Sequence, residues 1–413
     1  MYRVVLLALF VACTDPSADP IVPDDDTGDE PIDDPTDGMD PEPPPMLDLR
    51  PGCTAKAELA GFPTWLFFTR PDDPCNGTPG SGQDHHALAE LMRLVASVPA
   101  GGRIDGHIFS ITVDEVAESL LAAQTRGVDV RISTDGAVAA STDPSKTTYL
   151  DQLTSIVYCT SANNTACIAT ADAAISHTKL FTFSTATAPD GAVADNVVWF
   201  GSANQTYASG MKLYNNTVTI YGDAPLFTMF RSYLDELAAR SRRTDYYDAA
   251  SGRGHYLATS ADVYVSPEVE TDLVVNRLND LTPDATCEVR VMQASVRDSR
   301  LDVVDQVIAM KRGGCKVSVV ADTVEPAALA ALKAAAIPVR EMPIHDKVFL
   351  VTGTFGTAAA RRVFTGSHNL SGGSAHRFDE IFVKLAAEPV TASPVYDAYV
   401  VHFDDAFSKG TPL

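Results

Sequence analysis

Two short stretches of this 413-residue sequence carry the same pair of side chains at the same spacing. His177 and Lys179 stand two apart in Ile175-Ser176-His177-Thr178-Lys179-Leu180-Phe181, and His345 and Lys347 do so in Ile344-His345-Asp346-Lys347-Val348-Phe349. On a strand that spacing puts both side chains on one face. A neutral imidazole beside an ammonium suits attack on a phosphodiester. The histidine can be the nucleophile, while lysine neutralises charge on the non-bridging oxygens. Each pair is followed by a polar turn, Gly201-Ser202-Ala203-Asn204 in one case and Gly366-Ser367-His368-Asn369 in the other. The glycines let backbone come close to a substrate. Ser202, Asn204, Ser367 and Asn369 then offer donors to the same oxygens. Two such sets facing each other supply a nucleophile on one side and a general acid for the leaving alcohol on the other, as in-line displacement demands.

The elements that must position these residues are also present twice. Residues 103–111 read as a strand, 114–126 as an amphipathic helix closed by Gly127, and 128–134 as a second strand. Residues 287–294, 299–312 and 315–321 repeat that strand, helix and strand, and 327–336 add a further helix. Strand–helix–strand at this length implies parallel pairing across a crossover. Each half then closes with strand, turn-rich loop, strand and the Gly-Ser turn. The expected fold is therefore α/β, two similar lobes of mixed sheet flanked by helices and related by a pseudo-two-fold axis. The first lobe is expected over 51–243 and the second over 244–413, with the boundary in the polar stretch after a helix near 227–240.

Together these motifs resemble the signature of the phospholipase D superfamily, His-x-Lys followed by Gly-Ser-x-Asn, twice per chain in its two-lobed members. The phrase Leu120-Leu121-Ala122-Ala123-Gln124-Thr125-Arg126-Gly127-Val128 is similar to the family's helix-to-strand passage. The resemblance implies a metal-independent reaction through a covalent phosphohistidine, with no cofactor. It implies His177, Lys179, His345 and Lys347 as catalytic groups, and Ser202, Asn204, Ser367, Asn369 and Glu380 as groups around the substrate. Two features depart from the pattern. Ser184 and Thr352 stand where the fuller signature has aspartate, and Gly201 follows His177 by 24 residues, a longer gap than usual. The halves also differ. Glu380 lies eleven residues after Asn369, whereas Asn215 lies eleven after Asn204. Taken half by half, the carboxylate favours a protonated His345 as acid and the amide leaves His177 neutral as nucleophile.

The chain's start is of another kind. One basic residue, Arg3, precedes an apolar run over 4–12 that ends at Cys13. That is expected to be an export signal over 1–13, with Phe10-Val11-Ala12-Cys13 similar to a lipobox whose cysteine carries the lipid; the alternative is an ordinary signal with an incidental cysteine. Residues 14–50, rich in Asp and Pro, read as a disordered acidic tether. Residues 1–50 hold 13 acidic and 2 basic residues of the chain's 54 and 31, which leaves the body a net charge of −12. Such a body lacks the broad cationic surface that non-specific nucleic-acid binding needs. No apolar run is long enough to span a bilayer. With Cys13 set aside, six cysteines remain, and their spacing suggests Cys53–Cys75, Cys159–Cys167 and Cys287–Cys315 among fifteen possible connectivities. No cysteine or histidine cluster has the spacing of a metal site.

The expected function is thus an exported phosphodiesterase, anchored to a membrane through Cys13 and monomeric, acting on phospholipid or a related diester. A nuclease with the same centre is the alternative, and a catalytically silent surface binding protein the third reading. His85, His86, His107, His255 and His402 are expected to be structural or superficial, and His368 to line the pocket. Trp65, Phe67 and Phe68 are expected in the core.

Overall fold

A computed structural model describes residues 47–248, 251–269 and 272–413; the expected signal, and all of the expected tether before Leu47, lie outside the described residues. Two mixed sheets organise the described residues. The strands of the first run in the spatial order Ile156–Cys159, Asp129–Asp135, Arg103–Ile108, Leu180–Thr187, Val193–Gly201, Asn215–Ile220, Phe62–Thr69 and Thr54–Leu59. The second repeats that order with Val339–Glu341, Lys316–Val324, Glu288–Val296, Lys347–Phe355, Ala358–Gly366, Glu380–Leu385, Ala261–Ser266 and His255–Leu257. It adds Thr411–Pro412 beyond Val339–Glu341 and pairs Leu281–Thr282 with Lys347–Phe355. Pairing sense repeats too: Arg103–Ile108 is parallel to Asp129–Asp135, Glu288–Val296 is parallel to Lys316–Val324, and both are antiparallel to the strand that follows His-x-Lys.

The helices Asp114–Thr125 and Leu301–Arg312 make the crossovers between those parallel strands. Each buries one apolar stripe: Val116, Ala117, Leu120 and Ala123 in the first, Val303, Val304, Val307, Ile308 and Met310 in the second. Gly127 stops the first helix at φ +92°, a conformation that costs glycine little.

Three apolar cores follow from strand alternation. One lies between the sheets and takes Leu180, Val198, Phe200 and Val218 from the first with Val348, Leu350, Ile381 and Val383 from the second. The helices Ala224–Ala238 and Pro394–Lys409 complete it with Phe230, Leu234, Tyr399 and Phe403. The outer face of each sheet has its own core, with Phe181, Phe183 and Trp199 on one and Val289, Val291 and Phe349 on the other. Trp65, Phe67 and Phe68 are buried, as the sequence implied. The disulfides are Cys53–Cys75, Cys159–Cys167 and Cys287–Cys315.

One local expectation needs correction. His177 and Lys179 precede the strand Leu180–Thr187, and His345 precedes the strand that starts at Lys347. The lead-ins are extended but pair with the other half of the chain through single bridges, Ser176 with Asp379 and Ile344 with Tyr214. These swapped bridges bring the half-sites together.

Candidate active site

His177 donates its backbone N–H to Asp379 O at 2.9 Å, and His345 donates to Tyr214 O at 2.8 Å. The next residue after each acceptor then reaches the histidine ring. Glu380 Oε1 lies 2.9 Å from His177 Nδ1, and Asn215 Oδ1 lies 3.1 Å from His345 Nδ1. The partners are thus exchanged between halves, so the half-by-half pairing of Glu380 with His345 and Asn215 with His177 is overturned. Eleven-residue spacing locates the partner correctly but cannot show that the chain delivers it across the axis.

Both partners are fixed by further bonds. Ser374 Oγ donates to Glu380 Oε1 at 2.8 Å, and Ser202 Oγ donates to Asn215 Oδ1 at 2.9 Å. Asn215 Nδ2 donates to Ser209 O at 2.7 Å and to Leu213 O at 3.1 Å. With Nδ2 so used, Oδ1 is the atom that faces His345, and Nδ1 of that ring carries a proton. Burial pushes the Glu380 carboxyl up, but the adjoining His177 and then Lys179 outweigh it and hold the group below the usual carboxylate range.

The two imidazole rings face each other with centroids 6.5 Å apart. Lys179 Nζ donates to His177 O at 2.8 Å, and Lys347 Nζ to His345 O at 2.6 Å, so each ammonium is tied beneath its own histidine. Phe109 stands edge-on to His177 at 4.6 Å and lies 4.9 Å from Lys179 Nζ. His177, Lys179, His345 and Lys347 are each no more than 1 % exposed, so charges here act in a low-dielectric, water-poor setting.

Close backbone packing explains the Gly-Ser turns. A Cβ at Gly201 would lie 2.2 Å from Asn216 O, and one at Gly366 would lie 2.3 Å from Ile381 O. Ser202 braces Asn215, and Ser367 Oγ accepts from Ile381 N at 3.0 Å, so both serines clamp the strand that carries the histidine's partner. Asn204 Nδ2 donates to Ser209 Oγ at 2.7 Å, and Asn369 is buried beside His368. Burial, then Arg300, drives His368 down to about 3, so it is a neutral ring at ordinary pH.

His107 has a role that spacing did not suggest. Its Nε2 lies 3.1 Å from Ser176 O and its Nδ1 2.9 Å from Ser133 Oγ, so it pins the peptide before His177. Asp379 accepts from the backbone N–H groups of Cys167, Ile168 and Ala169, which seats the Cys159–Cys167 loop beside Glu380. His402 Nε2 meets Asp346 Oδ2 at 2.9 Å, which ties the second motif to the C-terminal helix. Neither Phe109 nor Asp379 belongs to a motif; only the repeat, laid over itself, could have singled them out. Among the described residues no group of His, Cys, Asp and Glu has the arrangement of a metal site.

The chain is similar to known proteins both in sequence and in fold. A family model described as Cardiolipin synthase, PLD-like domain, matches residues 99–238. No curated protein matches the chain. The structure of phosphatidylserine synthase from Haemophilus influenzae Rd KW20 is similar at 11 % identity and a TM-score of 0.55, over 88 % of this chain and 90 % of that one. Polyphosphate kinase from Porphyromonas gingivalis is similar at 11 % identity and a TM-score of 0.51, over 82 % of this chain but 46 % of that one. Nuc from Salmonella typhimurium, a phospholipase D family member, has 24 % identity and a TM-score of 0.30 over 37 % of this chain and 97 % of that one. Residues 99–238 are thus a phospholipase D-like domain by the family match, and the fold held in common and the doubled His-x-Lys and Gly-Ser-x-Asn motifs make the chain as a whole similar to the phospholipase D superfamily.

Proposed function

We propose that the protein is a phosphodiesterase of the phospholipase D type that works through a covalent phosphohistidine on His177, with phospholipid as its substrate. One observation carries this reading: two buried histidines face each other at 6.5 Å, each held at Nδ1 by the other half of the chain. With Nδ1–H donated to Glu380, Nε2 of His177 carries the lone pair and attacks phosphorus. The ring becomes cationic as the P–N bond forms, and the Glu380 carboxylate offsets that charge. His345 donates its Nε2 proton to the departing alkoxide as the P–O bond breaks. The neutral amide of Asn215 orients His345 without a charge that would retain the proton. In the second step His345 takes a proton from water or another alcohol, and the entering oxygen displaces His177. Lys179 and Lys347 stabilise the non-bridging oxygens, and the amides of Asn204 and Asn369 complete their shell. His177 thus remains the nucleophile expected from sequence, for the opposite electrostatic reason.

Phospholipid is favoured over nucleic acid because the body has a net charge of −12. Three disulfides fit an oxidising compartment. A lipid on Cys13 and a tether over 14–50 would hold a monomeric enzyme beside its substrate. Incubating the full-length protein in chelator with phospholipid vesicles and, separately, with plasmid DNA tests the reading. Head-group release with intact plasmid is expected; nicking without head-group release would favour the nuclease, and neither reaction would leave the binding protein.

A further inference from the structure

Besides the exchange of Glu380 for Asn215, the pseudo-two-fold fails at a second place beside the proposed catalytic groups. Arg103–Ile108 and Glu288–Val296 are equivalent strands, each between a parallel neighbour and the strand that follows His-x-Lys. The bridges Ile111 to Gln205 and Val296 to Leu370 set the correspondence, so Ile108 and Phe109 match Gln293 and Ala294. In the first half Ile108 joins an apolar core and Phe109 walls His177. In the second half the position equivalent to Phe109 is alanine, and the position equivalent to Ile108 is an amide.

Gln293 is directly opposite Lys347 in the antiparallel pairing, so the two side chains share a face. It is fully buried, yet neither its Oε1 nor its Nε2 has a hydrogen-bond partner. Ser295, two residues on and on the same face, is also buried with Oγ unpartnered. Unpaired buried polar atoms are costly, and the scaffold does not require one here, since isoleucine serves at the equivalent position. A hydroxyl-bearing ligand that reached this face would complete both groups.

We propose that Gln293, seconded by Ser295, is the specificity-determining residue for the alcohol handled by His345, and that this alcohol is an uncharged polyol of the glycerol type. The proposal rests on the roles given to His177 and His345 above. In-line displacement places the leaving or entering alcohol opposite His177, on the side of His345, Lys347 and Gln293. An amide with donor and acceptor both unfilled matches a hydroxyl, which is also both. A quaternary ammonium would leave the amide donor unpaired and would call for aromatic walls, and Ala294 stands where the other half has phenylalanine.

The test uses the full-length protein, phosphatidylglycerol vesicles, phosphatidylcholine vesicles, and a bis-aryl phosphodiester that carries no polyol. Wild type is expected to favour phosphatidylglycerol. Gln293→Leu is expected to lose at least about 10-fold more kcat/KM on phosphatidylglycerol than on the aryl diester, and to narrow the preference over phosphatidylcholine by a similar factor. Its Tm should not fall, because an unpaired amide gives way to an apolar group. Should Gln293→Leu fold poorly, Gln293→Met keeps the length of the side chain and carries the same expectation. A preference of wild type for phosphatidylcholine, an equal loss on all three substrates, or an unchanged preference with a lowered Tm would overturn the assignment. Wild type inert towards all three diesters would instead overturn the phosphodiesterase reading, and this assignment with it.

Discussion

At the scale of single residues, the exchanged partners separate the jobs of the two histidines. His177→Ala should abolish turnover of every diester, since it removes the proposed nucleophile. His345→Ala removes the proposed proton donor, so it should slow alkyl diesters far more than aryl diesters, whose leaving groups scarcely need a proton. The same contrast extends to the partners: Glu380→Gln should slow both classes, and Asn215→Ala chiefly the alkyl class. Steady-state rates on a matched pair of substrates check all four. Replacing Lys179 or Lys347 by Met should cost about 2.7–4 kcal/mol of barrier, by analogy with loss of one oxyanion-hole donor. The residue types were legible because histidine, lysine, glycine, serine and asparagine recur in one order. The pairing was not, because the distance from Asn369 to Glu380 along the chain says nothing about which histidine Glu380 meets.

Among the elements, the lead-ins before Leu180 and Lys347 matter most. They carry His177, Lys179 and His345, three of the four proposed catalytic residues, yet they are held by single bridges and by side chains such as His107. Burial drives the His107 ring down to about 4, and the nearby Lys179 and His177 add to that, against the hydrogen bond to Ser176 O. An unfolded histidine titrates near 6.5, so on acidification the unfolded chain takes the proton first. Stability is therefore unaffected above about pH 6.5 and falls as pH drops towards 4. His107→Asn lacks this penalty. Its stability deficit relative to wild type should shrink by about 2 kcal/mol between pH 7.5 and pH 5, as read from denaturant unfolding at both pH values. Because the comparison is a difference, the opposite contribution of Asp135, whose carboxyl burial raises to about 7, cancels. A constant deficit would mean that His107 takes up its proton as readily in the folded state as in the unfolded chain. Crossover helices and flanking strands were readable from apolar periodicity and from Gly127. The lead-ins read wrongly as strand because alternation reports extended backbone, not the neighbour it pairs with.

Over the whole molecule, the repeat settles both the architecture and the place where it is broken. Equivalent strands stand in the same order in both sheets, so two half-sites that are weak signals alone meet around one axis. That symmetry was visible in the sequence as a doubled strand–helix–strand followed by a doubled motif. Its failure at Gln293 and Ala294 was not, because an amide in an apolar strand gains meaning only beside Lys347. The expected tether over 14–50 lies, before Leu47, outside the described residues. Its removal should leave turnover of a soluble aryl diester unchanged and lower activity on vesicles, which paired assays would show. The central claim is that His177 forms a covalent bond to phosphorus. The most direct measurement is to quench the full-length protein during turnover in chelator and map the phosphorylated residue by mass spectrometry, with the His345→Ala variant used to lengthen the intermediate's life. Phosphoryl or phosphatidyl label on His177 is the expected result; label on His345, or turnover in chelator with no labelled histidine, would contradict the account.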